Sequence, residues 1–116
     1  MQLKTSRQSA FTLVEIMIVV AIIGLLAAIA IPNFIKAREI SQRNACVANL
    51  KQIDGAKSTW ALENKKVSGD PCDGPGDLYG ATKYVRSAPL CPANGTYDVG
   101  AVDTLPTCSI GAPHTL

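Results

Sequence analysis

Glu15 stands inside an apolar run, and no lysine or arginine occurs between Phe11 and Ile35 to neutralise it. An ionisable group held in hydrocarbon costs on the order of 2.5–3.5 kcal/mol at the centre of a spanning helix. Such an acid is a functional candidate, and it needs a counter-charge. The one positive charge this segment can acquire is a new α-amino group made by proteolysis. A cut between Ala10 and Phe11 places that amine four residues before Glu15, one helical turn away. The other groups able to do chemistry lie further on: Cys46, Cys72, Cys91 and Cys108, the single His114, and a crowd of acids at Asp70, Asp73 and Asp77.

The element that carries Glu15 is defined by composition. Ile16–Ile31 holds fifteen apolar residues and Gly24, and Phe11–Ile31 gives 21 residues with Glu15 as the only charge. At about 1.5 Å per residue a helix of that length covers the roughly 30 Å hydrocarbon core. A buried core helix is excluded, because so small a chain has nothing to wrap a helix that is apolar on all sides. Ala28-Ile29-Ala30 has the small-x-small form of a secretory cleavage site, but Glu15 falls within that signal's apolar core and Pro32 follows the cut. Lys4 and Arg7 precede the run, so the N-terminus is expected in the cytoplasm and the C-terminal part on the exported side of a single inner-membrane span.

The chain has 116 residues and a net charge of +2, which resides in Lys4 and Arg7; beyond them nine basic and nine acidic residues balance. That length limits it to one small exported domain. Balanced charge removes the basic surplus that gripping nucleic acid by its phosphates requires, so no nucleic-acid partner is expected. There is no serine elbow, phosphate loop or CxxC pair, and the expectation is a non-enzyme without a cofactor.

With these residues in place, Ala10-Phe11-Thr12-Leu13-Val14-Glu15-Ile16-Met17 resembles the processing motif of type IV pilins and type II secretion pseudopilins. The resemblance covers residues 4–36. It implies that a prepilin peptidase removes the basic leader (residues 1–10) and that the exposed Phe11 is methylated. Glu15 then stands fifth in the mature chain, with Gly24 at the glycine and Pro32 at the proline that family members often carry. Ala10 departs from the glycine usual before the cut. The resemblance further implies self-assembly into a filament with other pilins on an inner-membrane assembly platform, Glu15 of one subunit pairing with the terminal amine of its neighbour. N-methylation keeps that charge, and a buried pair of this kind sets register more than it adds affinity. Gly24 permits close helix packing, and Pro32 is expected to kink or loosen the helix where it leaves the bilayer.

The fold class expected is α+β. The helix runs as a membrane and assembly half (11–31) and an exported amphipathic half (32–67), followed by a loop-rich cap (68–116). In the exported half, Ile35, Cys46, Leu50, Ile53, Trp60 and Val67 share a stripe that Lys57 and Asn64 interrupt, with Leu50, Ile53 and Trp60 as anchors for the cap. The cap holds seven glycines and six prolines in 49 residues. Short strands are expected near Lys83–Arg86, Thr96–Val99 and Thr107–Ile110, with a turn at Asn94-Gly95.

So sparse a cap needs covalent help, and the exported side is oxidising. Of the three pairings that four cysteines allow, the reading favours Cys91–Cys108 with Cys46–Cys72; Cys46 as a buried free thiol is the alternative. Zinc is not expected, because no CxxC exists and His114 lies near the terminus. Asp70, Asp73 and Asp77 are weak calcium candidates: major pseudopilins carry such a site in their C-terminal loops, but EF-hand spacing is absent and a solvated acidic loop accounts for them.

The function read from the sequence is therefore a filament subunit, a type II secretion pseudopilin or a short type IV pilin. The alternatives are a membrane-anchored periplasmic binding module and a disulfide-bonded peptide released after Ala30. Intact mass separates the three. The expected protein begins at methylated Phe11; a native polymer beginning at Met1 or Ile31 would refute the reading.

Overall fold

The computed structural model describes residues 10–116; Lys4, Arg7 and the rest of the leader before Ala10 lie outside the described residues. One long helix, α1 (Leu13–Glu63), is followed by a single π-turn (Gly74–Leu78) and two short strands, β1 (Tyr97–Asp98) and β2 (Thr107–Cys108). The architecture is α+β, as the sequence implies. The chain divides into two compact units, Met1–Ala37 and Arg38–Leu116.

In the first unit α1 begins with a reciprocal cap. The Thr12 N–H donates to Glu15 Oε2 (3.0 Å), and the Glu15 N–H donates to Thr12 Oγ1 (3.2 Å). Two orphan donors of the first turn are thereby satisfied. The helix continues through Pro32, whose ring nitrogen has no proton for the backbone ladder. The apolar window of this helix is 0% buried, so none of the described residues covers it.

The second unit is built on the helical residues from Arg38 onward. Cys46, Leu50, Ile53, Lys57, Trp60 and Ala61 are its buried helical positions. They recur every three or four residues, the spacing of one helix face. The loops of the cap pack on that face in two clusters: Ile53, Trp60 and Ala61 with Leu78 and Val99, and Cys46 and Leu50 with Cys91 and Cys108. The helical residues from Arg38 onward and the cap fall within one compact unit. Ile35 and Val67, expected on the same stripe, are exposed.

The helix stops at Glu63, four residues short of the expected Val67. Lys65 adopts a left-handed conformation (φ 52°), the Lys66 N–H donates to Ala61 O (2.8 Å) and the Lys65 N–H to Leu62 O (3.4 Å). This is a Schellman arrangement, made here by a lysine in place of the usual glycine. The Lys66 ammonium lies 5.6 Å from the centre of the Trp60 ring and caps its outer face.

Strands β1 and β2 pair antiparallel, Tyr97 opposite Cys108 and Asp98 opposite Thr107. Of the three strands expected, the segment around Val85 contributes only an isolated bridge to Tyr79. Asn94 has the positive φ (62°) expected of the turn, but the turn leads into β1 and does not join two strands. Gly95 is required for a different reason: a Cβ there would stand 2.7 Å from both Cys108 Sγ and Ile110 Cγ1.

Lys57 corrects the sequence reading most sharply. It does not interrupt the buried stripe but completes it, at 1% exposure. Its ammonium donates to Val99 O (2.8 Å) and to Thr104 O, carbonyls of the loop between β1 and β2. A buried ammonium is tolerated only when its protons are taken up, and these carbonyls do so. Lys57→Met keeps the volume but orphans both acceptors, and should destabilise the second unit by about 2–4 kcal/mol. Urea unfolding followed through Trp60, the single tryptophan, measures this.

Candidate functional site

Two groups of residues carry chemistry, one in each unit. In the first unit, Ala10 and Phe11 precede the helix and are exposed, the side chain of Phe11 at 81%. Glu15 is the acid of the first turn of α1. The cap described above occupies its Oε2, and Oε1 has no partner among the described residues. Thr12-Leu13-Val14-Glu15 is the S/T-x-x-E pattern of a capping box, a signal legible in the sequence and missed there, where Glu15 was read only as an acid awaiting an amine. Gly24 has nothing within 4 Å of where a Cβ would lie, so its side of the helix is bare.

In the second unit the structure brings together four side chains that the sequence scatters over 69 positions. Cys46 comes from α1, Cys91 from the turn before β1, Cys108 from β2, and His114 from the C-terminal turn. All four are buried, and their ligand atoms lie within 4.8 Å of one another. Cys91 Sγ is 3.7 Å from Cys108 Sγ and 3.9 Å from His114 Nδ1.

Local hydrogen bonds fix each of these residues. Gln42 and Asn49, flanking Cys46 on the helix, donate their side-chain amides to Pro92 O (3.4 Å) and Leu90 O (3.1 Å), bracketing Cys91. Asn49 also donates to Tyr97 Oη (3.0 Å), and Tyr97 packs against the cluster of Cys46, Cys91 and Cys108. Strand pairing sets Cys108, and the Gly111 N–H to Cys108 O (3.0 Å) and His114 N–H to Gly111 O (2.7 Å) bonds return the tail to the thiols.

The thiols sit in unlike fields. Burial pushes Cys46 up to about 12. For Cys91, burial also acts upward, but the backbone N–H groups of Ala93 and Gly95 and the adjacent thiols outweigh it and bring the group down to about 6. Burial raises Tyr97 as well. Cys72 is raised by burial and then by the nearby Asp77 carboxylate.

Neither expected disulfide forms: all four cysteines are free. The Cys91 and Cys108 sulfurs are adjacent, but their separation far exceeds the roughly 2.05 Å of an S–S bond. Cys46 faces Cys91 and Cys108, whereas Cys72 packs against the Trp60 cluster, so the Cys46–Cys72 pairing is ruled out by packing. His114, taken from sequence to have no partners, is buried among the thiols.

The acids of the connector serve its turns. Asp70 Oδ2 accepts the Val67 N–H (2.9 Å), Asp77 Oδ2 accepts the Asp73 N–H (2.8 Å), and Asp73 O accepts the Asp77 N–H (2.6 Å). Leu50, Ile53 and Trp60 are buried under the cap.

Comparison with known proteins bears on the first group. Residues 5–31 match the family described as the prokaryotic N-terminal methylation motif. The chain carries this motif and is similar to the type IV pilins and the type II secretion pseudopilins. It is 50% identical over 62 residues to a type IV major pilin protein, PilA, of Myxococcus xanthus, an overlap of 53% of this chain and 28% of that one. It is 29% identical over 126 residues to a type II secretion system core protein G of Klebsiella pneumoniae, covering 94% of this chain and 90% of that protein. A type IV major fimbrial protein, FimA, of Dichelobacter nodosus is 46% identical over 67 residues, 58% of this chain and 41% of that one. No solved structure gives a significant match.

The reciprocal cap makes a local prediction. Thr12→Val removes the Oγ1 acceptor at little change in shape and should weaken the helix start by about 1 kcal/mol. Amide exchange of the detergent-solubilised protein should quicken at residues 13–16 and stay unchanged beyond Arg38.

Proposed function

We propose that this chain is a structural subunit of a type IV pilus-like filament, a type II secretion pseudopilin or a short type IV pilin. A prepilin peptidase cuts between Ala10 and Phe11, and the mature helix then holds the subunit in the inner membrane with its C-terminal unit on the exported side. The single observation that carries the reading is the methylation motif at residues 5–31 on a helix whose apolar window has no cover from its own chain. Such a surface is satisfied by lipid before assembly and by copies of the same helix afterwards. The near full-length overlap with core protein G supports a pseudopilin-sized subunit.

The capped helix start refines the electrostatics. After the cut Thr12 keeps its peptide N–H, so its bond to Glu15 Oε2 can persist while Oε1 receives an amine. Within one subunit that amine is the new N-terminus of Phe11; in the filament it is the neighbour's. The carboxylate therefore never faces hydrocarbon unpaired, and exchange of one amine for another sets the axial step between subunits. Gly24, with its bare surface, lets a neighbouring helix approach.

The test is Glu15→Ala, with Glu15→Asp beside it. Both should be inserted and cut normally, and the alanine variant should be severely depleted from sheared filaments, with partial recovery in the aspartate variant. Wild-type incorporation of Glu15→Ala would overturn the proposed role.

A further inference from the structure

We propose that Cys46, Cys91, Cys108 and His114 form a tetrahedral zinc site that staples the exported unit. This is independent of the filament reading, which makes no use of the second cluster.

The geometry is that of a metal centre waiting on small adjustments. Zinc bonds of about 2.3 Å to sulfur and about 2.0–2.1 Å to nitrogen, at tetrahedral angles, hold sulfurs about 3.8 Å apart and sulfur about 3.6 Å from nitrogen. The Cys91–Cys108 sulfurs are 3.7 Å apart, and Cys91 Sγ lies 3.9 Å from His114 Nδ1. The whole set falls within 4.8 Å, so sub-ångström shifts close it. Three thiols and an imidazole match a Cys3His donor set, soft enough to select zinc over hard cations. A disulfide uses two of these groups and leaves a third thiol and an imidazole in the same buried space.

The surroundings supply what thiolate ligands need. Ala93 and Tyr97 pack against the thiols, and the Tyr97 hydroxyl is held there by the Asn49 amide. Contacts of this kind hold first-coordination atoms in place. Gly95 leaves the room that the Cys108 sulfur occupies. On binding, each thiol still protonated gives its proton to water, and three S–Zn bonds and one N–Zn bond form. Neutral His114 donates through Nδ1 and keeps its proton on Nε2, so the centre carries one net negative charge. The ion ties α1, the Cys91 turn, β2 and the C-terminal tail together, the stapling that a cap this small requires.

The test uses the full chain, extracted in detergent, reduced and freed of metal, and titrated first with Co2+ alone and then with Zn2+. One cobalt per chain should bind with the intense visible bands of a tetrahedral thiolate site, and zinc should displace it stoichiometrically. Cys108→Ser and His114→Ala should each weaken zinc binding about tenfold or more. Cys72→Ser, outside the cluster, should change neither stoichiometry nor spectrum. His114→Ala truncates a side chain near the C-terminus, and native Trp60 fluorescence verifies that this variant is folded. An octahedral cobalt spectrum, or unchanged affinity in folded His114→Ala, would overturn the site. So would isolated protein that holds a disulfide between any two of Cys46, Cys91 and Cys108 and no zinc.

Discussion

An apolar surface that its own chain does not cover governs everything this protein does. From Leu13 to Ile31 the helix presents large aliphatic side chains outward on every side. At about 25 cal/mol per Å2 of apolar surface, leaving such a segment in water is prohibitive. Lipid and like helices are the two media that satisfy it. Within that surface Glu15 is the one group whose needs differ, and its position at the third residue of a capped helix start reconciles it. One oxygen is held by the chain itself, and in the proposed scheme the other receives the charge that processing creates.

The exported unit solves a different problem. It has two two-residue strands and few apolar residues, so its core cannot resemble that of a larger domain. Instead, one face of α1 serves as the template. Lys57 gathers the loop between β1 and β2 by two carbonyls, and Asn49 and Gln42 gather the Cys91 turn by two more. Polar side chains of the helix thus act as the pins of the cap, each bonded to a backbone oxygen of a distant loop.

The cysteines show what packing adds to a compartment argument. Export to an oxidising space favours disulfides, and the juxtaposition of Cys91 with Cys108 was foreseeable from the short strands. What the spacing could not reveal is that Cys46 and His114 converge on the same point. Zinc motifs are legible when two ligands share one turn. Here each ligand comes from a separate element, and only packing collects them.

The sequence by itself determined the apolar segment and its N-terminal methylation motif, because these depend on local composition and spacing along one helix. It also held the capping box at Thr12 and Glu15, a four-residue pattern. It could not decide the fate of Lys57, read as a break in an apolar stripe. Whether an ammonium can be buried depends on carbonyls more than forty residues away. Nor could it decide the end of α1 at Glu63, which follows from the left-handed turn at Lys65, or the gathering of three thiols and an imidazole. Those outcomes depend on which distant backbone atoms meet in space, and that is fixed only when the chain has folded.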